Sequence, residues 1–292
     1  MKKIIFLIIL IATCFSCGKN DDPEVPTKPT IRHKLSLSKL ETFYGTGINA
    51  FRDPVSFKVD SLNRISTISY SGIKHTMSYP DSSLIIFRNV DGTTGDVMDI
   101  SYIHIESNKV KKICGYCFNQ NDKMRAMSTD SILFTYNSNN NLMRIDHLKR
   151  FINSTTYWLA NSYEYTYESG NITKFIRIQY TFKTILNYSY DNQTNINNYG
   201  EYAPDMPFMF DYYYYPLIYD KLGKRNVNNI VKVTYTYPNA PSDIRNFDYI
   251  NYERVLDSNG LLSAIKMTGQ RALDDLTSST TYNDVKVSFT YQ

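Results

Sequence analysis

Histidine, cysteine, tryptophan and glycine are all scarce in this chain, and each scarcity narrows what it can do. Four His, four Cys, one Trp and 12 Gly stand among 292 residues. His33, His75, His104 and His147 are scattered, and no two stand at a metal-ligand spacing, so neither metal nor cofactor is expected. No Gly-x-Ser-x-Gly elbow, Walker loop, dinucleotide fingerprint or His-Glu-x-x-His occurs. Paired acids such as Asp274-Asp275 fall in a polar stretch. Acid/base pairs for glycoside cleavage are recognised by their separation in space, which spacing along the chain does not give. These absences place an enzyme below a binder. The formal charge of +4 is too small to argue for nucleic acid. No apolar run approaches the roughly 20 residues of a membrane-spanning helix.

What is present begins at the N-terminus. Lys2 and Lys3 precede an apolar run, Ile4 to Ala12, with the proportions of an export signal. The run ends in Cys14-Phe15-Ser16-Cys17-Gly18, which resembles a bacterial lipobox with Cys17 as the residue lipidated after cleavage. Phe15 stands where Leu is commoner. Lys19-Asn20-Asp21-Asp22 is similar to the acidic surface-export signal of Bacteroides-type lipoproteins. The resemblance implies a signal peptide over 1–16, and a lipidated Cys17 with a tether over 17–30. It implies an outer-membrane lipoprotein facing the cell surface, with the periplasmic face as the alternative. The prolines between Asp21 and Thr30 suit an extended spacer. Acyl chains on Cys17 would supply the membrane contact.

Beyond the tether, 26 Tyr and 15 Phe dominate, and aromatic and β-branched residues suit a pleated surface. Period-two alternation recurs, as in Val55-Ser56-Phe57-Lys58-Val59 and Tyr163-Glu164-Tyr165-Thr166-Tyr167. Such alternation marks antiparallel strands with one buried face. The expected fold is therefore mainly β, one domain over 31–292.

Five stretches share a pattern of aromatic-x-aromatic, Asp, Asn or Glu, small polar residues, then an apolar residue. They are 57–65, 134–145, 165–175, 188–196 and, more weakly, 254–265. Asn, Asp and Gly tolerate the left-handed backbone of a tight turn, and the flanking alternation sets register. A lone hairpin cannot bury its apolar face, so several must lie side by side. The pattern resembles the Tyr-Asp hairpin repeats of RHS-type proteins. More closely, it is similar to Bacteroides-type exported lipoproteins assigned only to a domain of unknown function. That likeness covers about 55–290 and implies a curved antiparallel meander of repeated hairpins, an open sheet or half-barrel. It supplies no catalytic residues. Whether the sheet closes on itself is not decided by the sequence.

Residues 199–220 break the pattern, with Pro204, Pro207 and Pro216 around Tyr212, Tyr213, Tyr214 and Tyr215. A short helical or irregular insertion near 205–222, packed on the concave face as a core plug, is the expectation. An aromatic binding platform is the alternative. The family-like lipoproteins carry such an insertion before a Gly-Lys-x-Asn stretch, here Gly223 to Asn226.

Cys114-Gly115-Tyr116-Cys117 has redox spacing but lacks the following helix that would lower a thiol pKa. A local disulfide between Cys114 and Cys117 is the simplest reading outside the cytoplasm, with free thiols or a redox or metal role as alternatives. Trp158 and Tyr212–Tyr215 are candidate sugar-stacking aromatics. Asp60-Ser61-Leu62 and Asp130-Ser131-Ile132 resemble O-glycosylation acceptors of Bacteroides-type exported proteins, which makes Ser61 and Ser131 candidates. The resulting expectation is a non-catalytic surface module that binds a glycan or an envelope protein. A structural component of an envelope complex is the first alternative, and a polysaccharide-processing enzyme the second.

Overall fold

The computed structural model describes residues 37–44, 51–70, 72–119, 124–150, 154–179, 182–195, 215–238, 249–272 and 279–291. All of them lie in the compact unit Ser36–Gln292. The signal, Cys17 and the tether lie outside the described residues.

The chain is a single antiparallel meander. Its first half contains β1 (Leu37–Tyr44), β2 (Phe51–Val59), β3 (Ile65–Tyr70), β4 (Ile73–Asp81), β5 (Leu84–Asp91), β6 (Val97–Glu106), β7 (Lys109–Asn119) and β8 (Met124–Tyr136). The second half contains β9 (Leu142–Lys149), β10 (Trp158–Glu168), β11 (Asn171–Gln179), β12 (Phe182–Thr194), β13 (Asn228–Thr236), β14 (Tyr249–Leu256), β15 (Leu262–Ala272) and β16 (Ser279–Tyr291). From β2 to β16 each strand bonds the next in sequence, giving an open, curved meander as the hairpin pattern predicted. The edges of that meander, β2 and β16, do not bond each other. The first strand does what no sequence pattern announced: β1 pairs with β2 on one side and β16 on the other, joining the two edges into a barrel.

Alternation sorts the side chains by face. One face is a contiguous apolar cluster that includes Phe57, Phe87, Ile145, Tyr165, Phe175 and Val233. The other carries exposed charges in mid-strand, among them Lys58, Lys112, Glu253, Lys266 and Lys286. Arg144 bonds both Asp146 and Glu164 on this outer face, at 2.8 and 2.6 Å.

Three of the five repeat copies make the same turn. The side-chain Oδ1 of Asp60, Asn137 and Asp257 accepts the backbone N–H groups two and four residues on, at 2.8–3.0 Å. The fourth residue of each turn, Asn63, Asn140 or Gly260, has φ between 60° and 77°, the left-handed region that Asn and Gly tolerate. The copy at 165–175 instead turns on two residues, Ser169 and Gly170, at φ 49° and 81°. Strand β12 runs through the copy at 188–196 without a hairpin. All these turns lie at one end of the barrel, here the turn end. The other, the loop end, carries the connections 45–50, 120–123, 150–157, 237–248 and 273–278.

The insertion between β12 and β13 contains one turn of helix, α1 (Tyr215–Ile218), followed by a 3-10 turn, Tyr219–Lys221. Pro216 sits in the first turn of α1, where its missing N–H costs nothing. Leu217, Ile218 and Leu222 are buried in the core, so this segment plugs the turn end. Residues 196–214, Tyr212 to Tyr214 included, lie outside the described residues. The plug is clasped by polar groups: Asn226 Oδ1 accepts the Ile172 N–H at 2.8 Å, and Asn226 Nδ2 donates to Tyr190 Oη at 3.0 Å. Tyr136 Oη donates to the Lys221 carbonyl at 3.2 Å. At Gly223 (φ 94°) the backbone passes so close to Asn140 that a Cβ would lie 2.5 Å from its carbonyl oxygen.

Candidate binding mouth at the loop end

The inner wall changes character along its height. Directly paired residues share a face of a sheet, so the register gives the inner layers of β8 to β12. Near the plug stand Tyr165, Phe175 and Leu186, 2% exposed or less. The next layer toward the loop end is Phe134, Ile145, Tyr163, Arg177 and Thr184. Above it come Ile132, His147, Asn161, Gln179 and Phe182, and His147, Asn161 and Gln179 are half-buried. Asn161 Nδ2 lies 3.3 Å from His147 Nδ1. The buried carboxamide oxygen of Asn161 has no hydrogen-bond partner among the described residues.

The rim is aromatic. Trp158 is 38% exposed and Phe182 46%. Trp158 reaches the inner face only because of a bulge. The register jumps between Leu159 and Asn161, which leaves Ala160 extra and pairs Trp158 with Lys149. Strict alternation from Tyr163 would have placed Leu159 inside and Trp158 outside. A bulge inserts one residue and re-aims those beyond it. Tyr249, at the start of β14, is also exposed at this end, with Lys232 Nζ 4.9 Å from its ring centroid.

A second polar group lines the inner wall of β4 to β6. His75, 2% exposed, stacks on Phe87 with ring centroids 4.8 Å apart. Burial pushes its imidazole down to about 4. Asn89, its register partner, donates to Asp99 Oδ2 at 3.1 Å. Burial raises the Asp99 carboxyl against that stabilising hydrogen bond.

The structure separates the residues that the sequence proposed. Trp158 stands at the loop-end rim, Tyr215 opens α1 in the insertion at the opposite end, and Tyr212 to Tyr214 lie outside the described residues. Ser61 is exposed in its turn, while Ser131 is 4% exposed in the middle of β8. The expected Cys114–Cys117 bridge is not met: Cys114 is a free thiol. Both residues lie on strand β7, and the side chain of Cys117 lies outside the described residues. Cys114 Sγ instead lies 3.6 Å from His104 Nε2 on the outer face. Among the described residues no group of three or more His, Cys, Asp or Glu side chains could hold a metal ion. Phe182, His147, Asn161 and Gln179 were missed in the sequence because each is ordinary in its own strand. Only the register stacks them.

No protein-family model matches the sequence, and no curated protein is detectably similar to it. Solved structures are similar in fold. A porin-like protein from Bacteroides uniformis has a TM-score of 0.60 at 11% identity, the match covering 88% of this chain and 96% of that one. A porin-like protein from Bacteroides vulgatus has a TM-score of 0.56 at 13% identity, covering 88% of this chain and 99% of that one.

Proposed function

We propose that this chain is an exported, lipid-anchored envelope protein whose barrel is a non-catalytic binding module for glycan, taken in at the loop end. The observation that carries the reading is the order of the inner wall: exposed Trp158 at the rim, then a layer that joins exposed Phe182 to the polar side chains His147, Asn161 and Gln179. Aromatic faces stack on the apolar faces of sugar rings, and amide and imidazole groups meet hydroxyls, so the order suits a carbohydrate better than a purely apolar ligand. The lipid anchor rests on the signal and on Cys17.

A pore is the reading that the porin-like neighbours would suggest, and three features of this chain weigh against it. Membrane barrels turn apolar side chains outward, and a Lys or Arg facing lipid at the midplane costs roughly 2–4 kcal/mol. Here Lys58, Lys112, Lys266 and Lys286 point outward and the apolar cluster points inward. The plug of Leu217, Ile218 and Leu222 then blocks the turn end.

The test is a thermal-shift screen of residues 21–292, which retain the whole compact unit, against a broad glycan panel. A ligand at about 100 times its dissociation constant adds roughly 2.7 kcal/mol to the native state. Trp158→Ala should weaken the response about tenfold, the equivalent of roughly 1.4 kcal/mol, without lowering the melting temperature of the free protein. A panel that shifts nothing would sink the glycan reading in favour of an envelope scaffold. Shortening of the polymer on incubation would make the protein an enzyme.

A further inference from the structure

We propose that the glycan met at this rim is an anionic one, carrying carboxylate or sulfate groups, an inference that rests on the glycan-binding reading above. The ground for it is how charge is distributed along β9 to β12. Residues 147–163 and 175–190 cover the loop-end parts of these four strands and the connections between them. They contain Lys149, Arg150, Arg177 and Lys183 and no Asp or Glu. Acids return only toward the turn end, at Asp146, Glu164 and Asp191, and Arg144 bonds the first two at 2.8 and 2.6 Å. Among the described residues Lys149 and Lys183 form no ion pair. Asp130 of β8, the other register partner of Lys149, adds one acid at the edge of the sector. The sector stays positive.

Register sets these cations among the exposed aromatic residues. Lys149 is half-buried and pairs with Trp158, so the two stand side by side on one face at the start of β10. Phe182 and half-buried Lys183 open β12 together, Phe182 beside Gln179 and Lys183 beside Ile178. From β9 to β12 is three strand spacings, roughly 14 Å, the span of a few sugar rings. A ring stacked on Trp158 turns its edge, where an acidic sugar carries its charge, toward the neighbouring strand and Lys149. A neutral chain laid across this sector would take water from the two ammonium groups and return no counter-charge, which is a net cost. An anionic chain replaces that water with charge-assisted hydrogen bonds. The summed field of the four cations also draws it in from solution.

The experiment is a thermal shift of residues 21–292 with polysaccharides matched in backbone and differing in charge. The pairs are polygalacturonate and its methyl ester, carboxymethyl- and hydroxyethylcellulose, and dextran sulfate and dextran, with polyglutamate as a sugar-free polyanion. The expected result is that the anionic member of at least one pair acts at a tenfold or lower concentration than its neutral partner. The gain should shrink between about 50 and 500 mM salt, as screening requires. The double variant Lys149→Gln, Lys183→Gln should remove most of the gain and leave the melting temperature of the free protein unchanged. Should the double variant fail to fold, each single variant should lose part of the gain. Equal response to both members of the responsive pair would overturn the inference and leave glycan binding standing. Equal response to polyglutamate would overturn it too, since charge alone would then suffice. Silence from all three pairs, with sedimentation of the protein on phosphatidylglycerol vesicles, would overturn it in favour of a membrane contact.

Discussion

His75 is a residue whose chemistry departs far from its ordinary behaviour. Buried against Phe87, it has its pKa lowered to about 4 from an ordinary value of 6.5. In the unfolded chain it takes up a proton near pH 6.5, and in the folded barrel only near pH 4. Stability is therefore fully present above about pH 6.5 and falls as the pH drops toward 4, by up to about 3 kcal/mol at roughly 1.4 kcal/mol per pH unit. His75→Phe should remove most of this loss, read as melting temperature between pH 7 and 4.5; an unchanged acid sensitivity would put its source elsewhere. Gly170 is the second residue whose own conformation matters. At φ 81°, a Cβ there would lie 2.6 Å from Val227 Cγ2, so Gly170→Val should cost about 1–3 kcal/mol. For a domain of this size that is a drop of several degrees in melting temperature. The neighbouring Asn171 differs: it already lies in β11 and bonds Asn228, with no positive φ to protect. Sequence reasoning placed the turn correctly to within one residue, and the φ values decide which residue bears the strain.

At the scale of elements, Asn226 is a centre of the polar contacts that hold the plug. Its side chain serves the Ile172 N–H and Tyr190 Oη, and its carbonyl accepts from Asn195 Nδ2 at 2.6 Å. Asn226→Ala leaves the Ile172 N–H buried without its acceptor, a cost of about 1–3 kcal/mol. It should loosen the segment before Asn226 ahead of the barrel. Hydrogen exchange should show that segment opening at lower denaturant than β10 and β11; simultaneous opening of all three would mean that the plug is integral to the sheet. That a helical turn would pack inward was legible in the apolar residues around Pro216. The clasp was not, because Asn171, Asn195, Asn226 and Asn228 look like ordinary loop asparagines until β11, β12 and the insertion meet. The bulge at Ala160 was equally hidden, since β10 reads as regular alternation.

For the whole molecule, inward apolar and outward charged faces make the barrel a filled body. Residues 21–292 should be monomeric in water without detergent and give no stepwise conductance in planar bilayers. Conductance steps would contradict the orientation of the charged faces. Connectivity adds a direction: Leu37 pairs with Tyr291, so the first described strand, β1, begins at the turn end.

Much of this was set by local chemistry. Alternating Tyr, Phe and β-branched residues determined an antiparallel β fold with one buried face, because side chains on a strand repeat every two residues. Asp60, Asn137 and Asp257 determined their turns, because an Asx carboxylate or amide captures its own backbone. Three features waited for the tertiary structure: the closure of the meander by β1, the inward turn of Trp158, and the polar layer beneath it. Each depends on register between strands, where a shift of one residue reverses every side chain, and register is a property of the pair and not of either strand alone.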